Sequence, residues 1–302
     1  MEWNQLEYFK TVAELQHFTQ AAKKLAISQS ALSRSIAKLE EELGFPLFER
    51  YGKKILLNSH GQIFLGHVER ALLEISKGRQ SILDLINPEY GSVSLAFLHS
   101  LGSNIVPNLL GKFRQKYPKI EFKLSQNGTS FLLKQLIMGE IDLCLCSPMA
   151  NQTSIEWTNL FTEELFVCVP LNHRLAGRSQ ITLHEIATEP LITFKKDYGL
   201  RILTDRLFHA AAIQPLVTFE GEEIMTVAGL VDAQLGVALI PHIAGLNNEN
   251  IVFLPVSTPK CSRTIGIAWN KDRYLSPVAK RFKDFVVASF LQKGKELSTE
   301  RR

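Results

Sequence analysis

The chain has 302 residues, 45% hydrophobic and 21% charged, with a formal net charge of +4. This length suits two or three domains better than one core, and four cysteines (Cys144, Cys146, Cys168, Cys261) are too few for a disulfide scaffold. The opening Met1-Glu2-Trp3-Asn4-Gln5 has no basic region followed by an apolar one, as a secretory leader would. No apolar run reaches the roughly 18 residues of a membrane span, so a cytoplasmic protein without a membrane partner is expected.

In the first segment, the placement of charge is more telling than its sum. Residues 1–58 hold eight Lys and Arg against seven Glu, yet no carboxylate lies between Glu14 and Glu40, a span that holds Lys23, Lys24, Arg34 and Lys38. Such a one-signed patch suits a polyanion that touches one face. Leu6, Phe9, Val12 and Ala13 share a face of a first helix. Thr19 is placed to N-cap a short second helix, where Ala21 and Ala22 permit close approach. Ala26-Ile27 then turns the chain, and Ser28 N-caps a third helix.

Leu32, Ile36, Leu39 and Leu43 form the buried stripe of that third helix, and Gly44 ends it. Burying the stripe turns Gln29, Ser30, Ser33 and Arg34 outward near the positive end of the helix. Gln and Arg can make bidentate contacts with adenine and guanine edges, and serines reach bases or phosphates. Lys38 extends the same face. Glu40, Glu41 and Glu42 come only at the far end of the helix. After Pro46, "LFERYGKKILLN" reads as two short strands around Tyr51-Gly52-Lys53, with Arg50, Lys53 and Lys54 set for phosphates. Residues 1–58 therefore read as a winged helix-turn-helix with double-stranded DNA as partner.

From Ser59 to about Ile86 the pattern is one long helix, and "NPEYG" (87–91) is the hinge that closes a 59–90 linker. Leu65, Val68, Leu72, Ile75, Arg79, Ile82 and Ile86 are spaced alternately three and four residues apart. That is an a/d seam with one polar intruder, and it predicts a dimer.

From 91 to 302, strands alternate with helices. "SVSLAFLH", "IEFKLSQ", "EIDLCLC", "ELFVCVP", "PLITF", "LVTFEG", "VALIP" and "RTIGIAWN" read as strands. Helices are predicted from Pro107 to Tyr117, over "SFLLKQLIMG", "LRILTDRLFHAA" and "EIMTVAGLVDAQLG", and at the C-terminus to about Lys293. The alternation predicts a largely parallel, covered sheet in two α/β lobes, lobe I at about 91–161 and 265–302 and lobe II at about 162–264. A ligand cleft is expected at the strand ends.

The chain resembles the LysR-type transcriptional regulators over essentially its whole length. The resemblance rests on "LEYFKTVAELQHFTQAAKKLAISQSALSRSIAKLEEELGFPLFER", then "LNSHGQIFL", "MGEIDLCLC" and "LGVALIP". It implies a bacterial, DNA-binding activator or repressor with a winged helix-turn-helix, a dimerising linker and an effector domain similar to type 2 periplasmic binding proteins. It also implies a homo-oligomer, typically a tetramer, with RNA polymerase as a further partner. Two positions depart from the family pattern. Ser30 stands where proline is frequent, and Leu57-Asn58-Ser59-His60-Gly61 replaces Leu-Thr-x-Ala-Gly, where Asn58 or Ser59 can still cap the linker.

The resemblance further implies a small, anionic effector and no other cofactor. The loop "HSLGSN" would supply Ser100, Leu101 and Ser103. The junction "NGTS" would supply Thr129 and Ser130, with Ser147, Phe194 and Gly221 lining the far side. Unpaired N–H groups converge at such junctions and suit a carboxylate.

Other classes fit the residues less well. Cys144 and Cys146 point to one face of a strand about 7 Å apart and read as core rather than a redox pair. The eight histidines show no metal-ligand spacing, so neither a metal nor an enzyme is expected. A solute-binding protein would not begin with a DNA-reading module, and an architectural DNA binder would not need residues 91–302.

Overall fold

The computed structural model describes residues 1–51, 54–86, 90–149, 152–246 and 249–299, with backbone alone at 50, 51, 54, 77, 80, 81, 83–86 and 293–299. The chain divides into two compact units, Met1–Leu83 and Asp84–Arg302.

The first unit contains α1 (Trp3–Leu15), α2 (Phe18–Lys24), α3 (Gln29–Leu43), β1 (Phe48–Tyr51), β2 (Lys54–Leu57) and α4 (Ser59–Ile86). Phe9, Val12, Ala21, Ala22, Leu32, Ile36, Leu39 and Leu47 form its core. Ser28 caps α3 by accepting the Ala31 N–H at 3.2 Å, and Gly44 ends the helix in the left-handed conformation with φ 81°. Thr19 is not a cap. Helix α2 starts at Phe18 with His17 at the cap position, and the Thr19 hydroxyl donates to Gln29 Oε1 at 2.9 Å. A side-chain acceptor on the next helix outcompetes the local backbone. β1 and β2 pair antiparallel from Phe48↔Leu57 to Tyr51↔Lys54, and the turn expected between them lies outside the described residues.

At the start of α4, Asn58 Oδ1 accepts the Gly61 N–H at 2.8 Å. A Cβ on Gly61 would lie 2.2 Å from the Leu47 carbonyl oxygen, so only glycine lets the helix seat here. The linker seam divides in two. Val68 is buried in the core of this unit and Leu65 and Leu72 pack against it, whereas Ile75 and Ile82 are exposed and Arg79 faces solvent. Leu65, Val68 and Leu72 thus cover the head that precedes them, because α1 and α3 leave apolar surface that the first turns of α4 are close enough to bury. The side chain of Ile86 lies outside the described residues.

The second unit contains β3 (Gly91–Phe97), α5 (Ile105–Lys116), β4 (Ile120–Gln126), α6 (Thr129–Met138), β5 (Leu143–Cys146), β6 (Ile155–Pro170), β7 (Ile181–Thr182), β8 (Pro190–Phe194), α7 (Gly199–Ala210), β9 (Leu216–Gly221), α8 (Ile224–Asp232), β10 (Ala238–Pro241), β11 (Ile251–Thr258), β12 (Ser262–Asn270) and α9 (Pro277–Thr299). The main sheet runs β4-β3-β5-β12-β6-β11-β7, with β10 also on β6, and β8 pairs with β9. It is mixed rather than largely parallel. The β4-β3-β5, β8-β9 and β11-β7 pairs are parallel, but β12 runs antiparallel to β5 and β6, as do β10 and β11 to β6. The cause is connectivity. No helix separates β6 from β7, and the chain turns back there, so β7 and β11, parallel to each other, run against β6.

Three pieces of strand escape the sequence pattern: the first half of β6, all of β7, and β11, whose Pro255 reads as a breaker yet pairs with Phe166. Helix α5 begins at Ile105, two residues before Pro107, because a proline in the first turn costs no intrahelical hydrogen bond.

β6 is 16 residues long and passes through both lobes. Its first half pairs with β12 from Ile155↔Asn270 to Glu164↔Ser262, and its second half pairs with β11 from Phe166↔Pro255 to Pro170↔Ile251. The chain thus crosses between lobes twice, side by side, with the Leu165 N–H donating to the Cys261 carbonyl at 2.9 Å. Lobe I has its own core around Leu95, Phe113, Leu132, Leu143, Ile267 and Phe282. Lobe II buries both faces of its sheet, one around Val167, Phe208 and Leu239, the other around Ile192, Val227 and Ile240. Among the described residues, no helix is long and apolar enough to cross a membrane.

Candidate functional site

Two surfaces concentrate uncommitted polar groups, one in each unit. On α3, burial of Leu32, Ile36 and Leu39 leaves Gln29, Ser30, Arg34 and Lys38 exposed and Ser33 half-buried. The Gln29 amide oxygen is held by Thr19, and its NH₂ group has no partner among the described residues. Among the described residues Arg34 bonds only through Nε, 3.4 Å from the Ser30 carbonyl, which leaves both terminal nitrogens available. Lys38 is already bonded to Glu2 at 3.0 Å, which raises the lysine pKa and lowers that of the carboxyl. The side chains of Arg50, Lys53 and Lys54 lie outside the described residues.

The acids at the far end of α3 are structural. Glu40 Oε1 accepts the N–H groups of Leu47 and Phe48 at 2.6 and 3.2 Å, tying the helix to β1, and Glu42 pairs with the amino terminus.

The second surface is the cleft between the lobes. It is lined by Leu98, His99 and Ser100 after β3, by Asn127–Thr129 at the start of α6, by Tyr198–Leu200 at the start of α7, by Glu222–Ile224 at the start of α8, and by Ser147, Phe194 and Arg263. About 410 Å³ of space, part of it open to solvent, lies among them. Three helix N-termini therefore meet here, each with orphan N–H donors. The lobes touch closely at this point. A Cβ on Gly199 would lie 2.7 Å from the Thr129 hydroxyl oxygen, and Ser130 Oγ donates to the Asp197 carbonyl at 2.9 Å.

Of the expected effector residues, Ser100, Thr129, Ser147 and Phe194 line the cleft, and four do not. Leu101 is buried in the lobe I core because the short 3-10 helix His99–Leu101 turns it inward. Ser103 faces solvent, one turn beyond the wall. Ser130 is drawn to Asp197 and joins the lobes instead of facing the space between them. Gly221 ends β9 behind the wall, with Glu222 taking the lining position.

The sequence reading missed the charged residues. Arg263, only 3% exposed, starts β12 beside the crossing strands. Its Nε donates to Glu163 at 2.5 Å and its Nη2 to Ser100 Oγ at 2.9 Å. Burial pushes the guanidinium below its ordinary pKa, and the Glu163 carboxylate opposes that shift. Glu222 pairs with Lys195, which holds its carboxyl below the usual range, and burial with the nearby Glu222 charge raises the Tyr198 phenol. His99 Nε2 lies 3.8 Å from Glu223 Oε1 across the cleft. Behind this wall, Arg201 donates to the Phe194 carbonyl at 2.8 Å and to Glu220 and Asp205, fixing the ends of β8 and β9. No spacing in the sequence marks Arg263 or Glu163 as partners, since 99 residues of other elements intervene.

The four cysteines are buried and free. Burial raises the Cys168 thiol to about 12 and Cys261 to about 11, and lifts Cys144 well above its ordinary value.

Residues 3–62 match the protein family described as bacterial regulatory helix-turn-helix protein, lysR family, and residues 87–291 match the LysR substrate binding domain. The HTH-type transcriptional regulator YybE of Bacillus subtilis is 51% identical, over 96% of this chain and 99% of its own length. The transcriptional dual regulator GltC of the same organism is 38% identical, over 96% and 98%. Among solved structures, the effector binding domain of QuiR in complex with shikimate is 34% identical with a TM-score of 0.65, covering 67% of this chain and 98% of that one. Full-length CbnR complexed with target DNA shares the fold at a TM-score of 0.76 and 24% identity, over 96% and 100%.

Proposed function

The chain belongs to the LysR family of transcriptional regulators, and on that premise we propose that it reads an operator with α3 and changes its hold on the promoter when a small organic anion binds between the lobes. Residues 1–58 are the DNA-binding domain, 59–90 the linker, and 91–302 the effector domain. Gln29, Ser30, Ser33 and Arg34 contact base edges, while Lys38 and the wing residues Arg50, Lys53 and Lys54 contact phosphates. The protein acts in the cytoplasm, as a dimer or tetramer, with RNA polymerase as its partner at the promoter. It uses no cofactor beyond the effector and catalyses no reaction. Exposed Ile75 and Ile82, one heptad apart on α4, support pairing of linkers.

The observation that carries the effector reading is the meeting of three helix N-termini and a buried guanidinium at one cleft. The Thr129 side chain adds to it. Its residue is 1% exposed, and its hydroxyl has no hydrogen-bond partner among the described residues. QuiR, whose effector domain binds shikimate, supports a carboxylate of similar size. Such a ligand shifts the balance between two arrangements of the assembly only by its differential affinity for them.

The test is a titration of operator binding with effector for wild type, Ser100→Ala and Thr129→Val. Loss of one hydrogen bond to a charged group costs about 1.5–3 kcal/mol, so the effector midpoint is expected to rise roughly tenfold or more while basal DNA affinity holds. Equal midpoints in all three proteins would place the effector elsewhere.

A further inference from the structure

The two ends of the cleft differ in character. At one end stand donors: the Thr129 hydroxyl, the free N–H groups at the starts of α6 and α7, and Arg263, whose Nη1 makes no hydrogen bond among the described residues. Ser100 accepts from Arg263, so its own proton is left to point at a ligand. At the other end stand acceptors. Glu222 and Glu223 line the wall at the start of α8, about half exposed; the first is shared by Lys195 and the Tyr198 hydroxyl, and among the described residues the second has His99 at 3.8 Å.

Counting the partners behind the wall, Arg263 and Lys195 stand against Glu163, Glu222 and Glu223. Carboxylates outnumber permanent cations. One ligand carboxylate is accommodated at the donor end, where unpaired donors are already oriented. A second would face Glu222 and Glu223 in a partly enclosed space, where like charges repel and each disfavours ionisation of the other. A purely apolar tail would strip water from those carboxylates and return no hydrogen bond.

We propose that the effector is a monocarboxylate whose far end carries hydroxyl or ammonium groups, read by Glu223 and Glu222, while Arg263, Ser100 and Thr129 hold the acid. This rests on the anionic-effector reading of the same cleft and narrows it to one chemical class.

The experiment is thermal-shift and calorimetric binding on the full-length chain with matched probes. Shikimate, gluconate and serine represent the proposed class. Benzoate and butyrate are bare monocarboxylates, succinate and phthalate are dicarboxylates, and methyl shikimate lacks the charge. At least one member of the proposed class is expected to bind tenfold or more tighter than every bare acid and dicarboxylate. In Glu223→Gln, a half-exposed position whose ligand-free Tm should not move, that preference is expected to shrink and the dicarboxylates to gain. A bare acid or a dicarboxylate binding as tightly as the best hydroxylated or amino acid overturns the proposal but leaves the anion site standing. An unchanged ranking in Glu223→Gln does the same. Methyl shikimate matching shikimate, or no binding by any carboxylate, overturns the anion reading as well.

Discussion

The recognition helix and the effector cleft are both polar sites, built on opposite principles. On α3 the reading groups are exposed and almost uncommitted: Arg34 has one weak bond to its own helix, and Ser30 only a 3.1 Å contact with Ser28. In the cleft the central cation is buried and held before any ligand arrives, Arg263 lying between Glu163 and Ser100. An exposed group can be removed without harm to the fold, because water solvates whatever it leaves behind. A buried charged group cannot, because its partner is stranded in a poorly solvated place. Substitution of Arg34 should therefore cost recognition alone, and substitution of Arg263 should cost structure.

The largest effect is expected at neither site but at the linker that joins two heads. Ile75→Glu/Ile82→Glu should abolish pairing of α4 and remove the gain of joined binding, commonly 10²–10⁴-fold, while the folded head keeps its own core around Val68. Sedimentation together with operator titration checks this; an intact dimer would show that other surfaces hold the assembly. Next comes Arg263→Met, which leaves Glu163 without its partner. A cost of about 3 kcal/mol or more is expected, or roughly 6–12 °C in Tm for a domain of this size. The double variant Arg263→Met/Glu163→Met should recover most of that loss without recovering effector response. If the single variant melts like wild type, the comparison drawn above fails on its buried side.

Arg34→Ala should reduce discrimination at one base pair of each half-site by about 1–3 kcal/mol, with Tm unchanged. A Tm drop there would break the comparison on its exposed side. The smallest expected effect is none. With thiols raised by burial to about 11 at Cys261 and about 12 at Cys168, and well above its ordinary value at Cys144, these three stay protonated at pH 8. A thiol reagent at pH 8 should leave the native chain unlabelled at these positions and label them after denaturation.

The sequence carries the first of these sites far better than the second. The face of α3 follows from a local rule, since burying Leu32, Ile36 and Leu39 fixes where Gln29 and Arg34 must point. Ser100 and Thr129 are marked by the family resemblance, at strand-to-helix junctions whose free N–H groups suit an anion. Arg263 and Glu163 are not, because their contact depends on β12 returning beside β6 in a register that no local pattern announces. The mixed direction of the sheet is hidden on the same ground. Alternation of strands and helices implies crossovers throughout, whereas β6 turns back into β7 with no helix between them. Ser130 illustrates a finer limit. Its junction was recognised, but the Asp197 carbonyl that captures its hydroxyl belongs to the other lobe.

Glu40 gives the head a division of labour along a single helix. By accepting the Leu47 and Phe48 amides, it fastens the last turns of α3 to the wing strand, so these two parts move as one body. Among the described residues, the opening turns carry no comparable tie to another element beyond the Thr19–Gln29 bond. On the proposed reading of α3, operator preference can then drift by exchange of Gln29, Ser30, Ser33 or Arg34 with little risk to folding. The angle at which the helix enters the groove is inherited unchanged from its other end. A library randomised at those four positions should yield many folded heads with new half-site preferences, and one randomised at Glu40 should yield few folded heads of any preference.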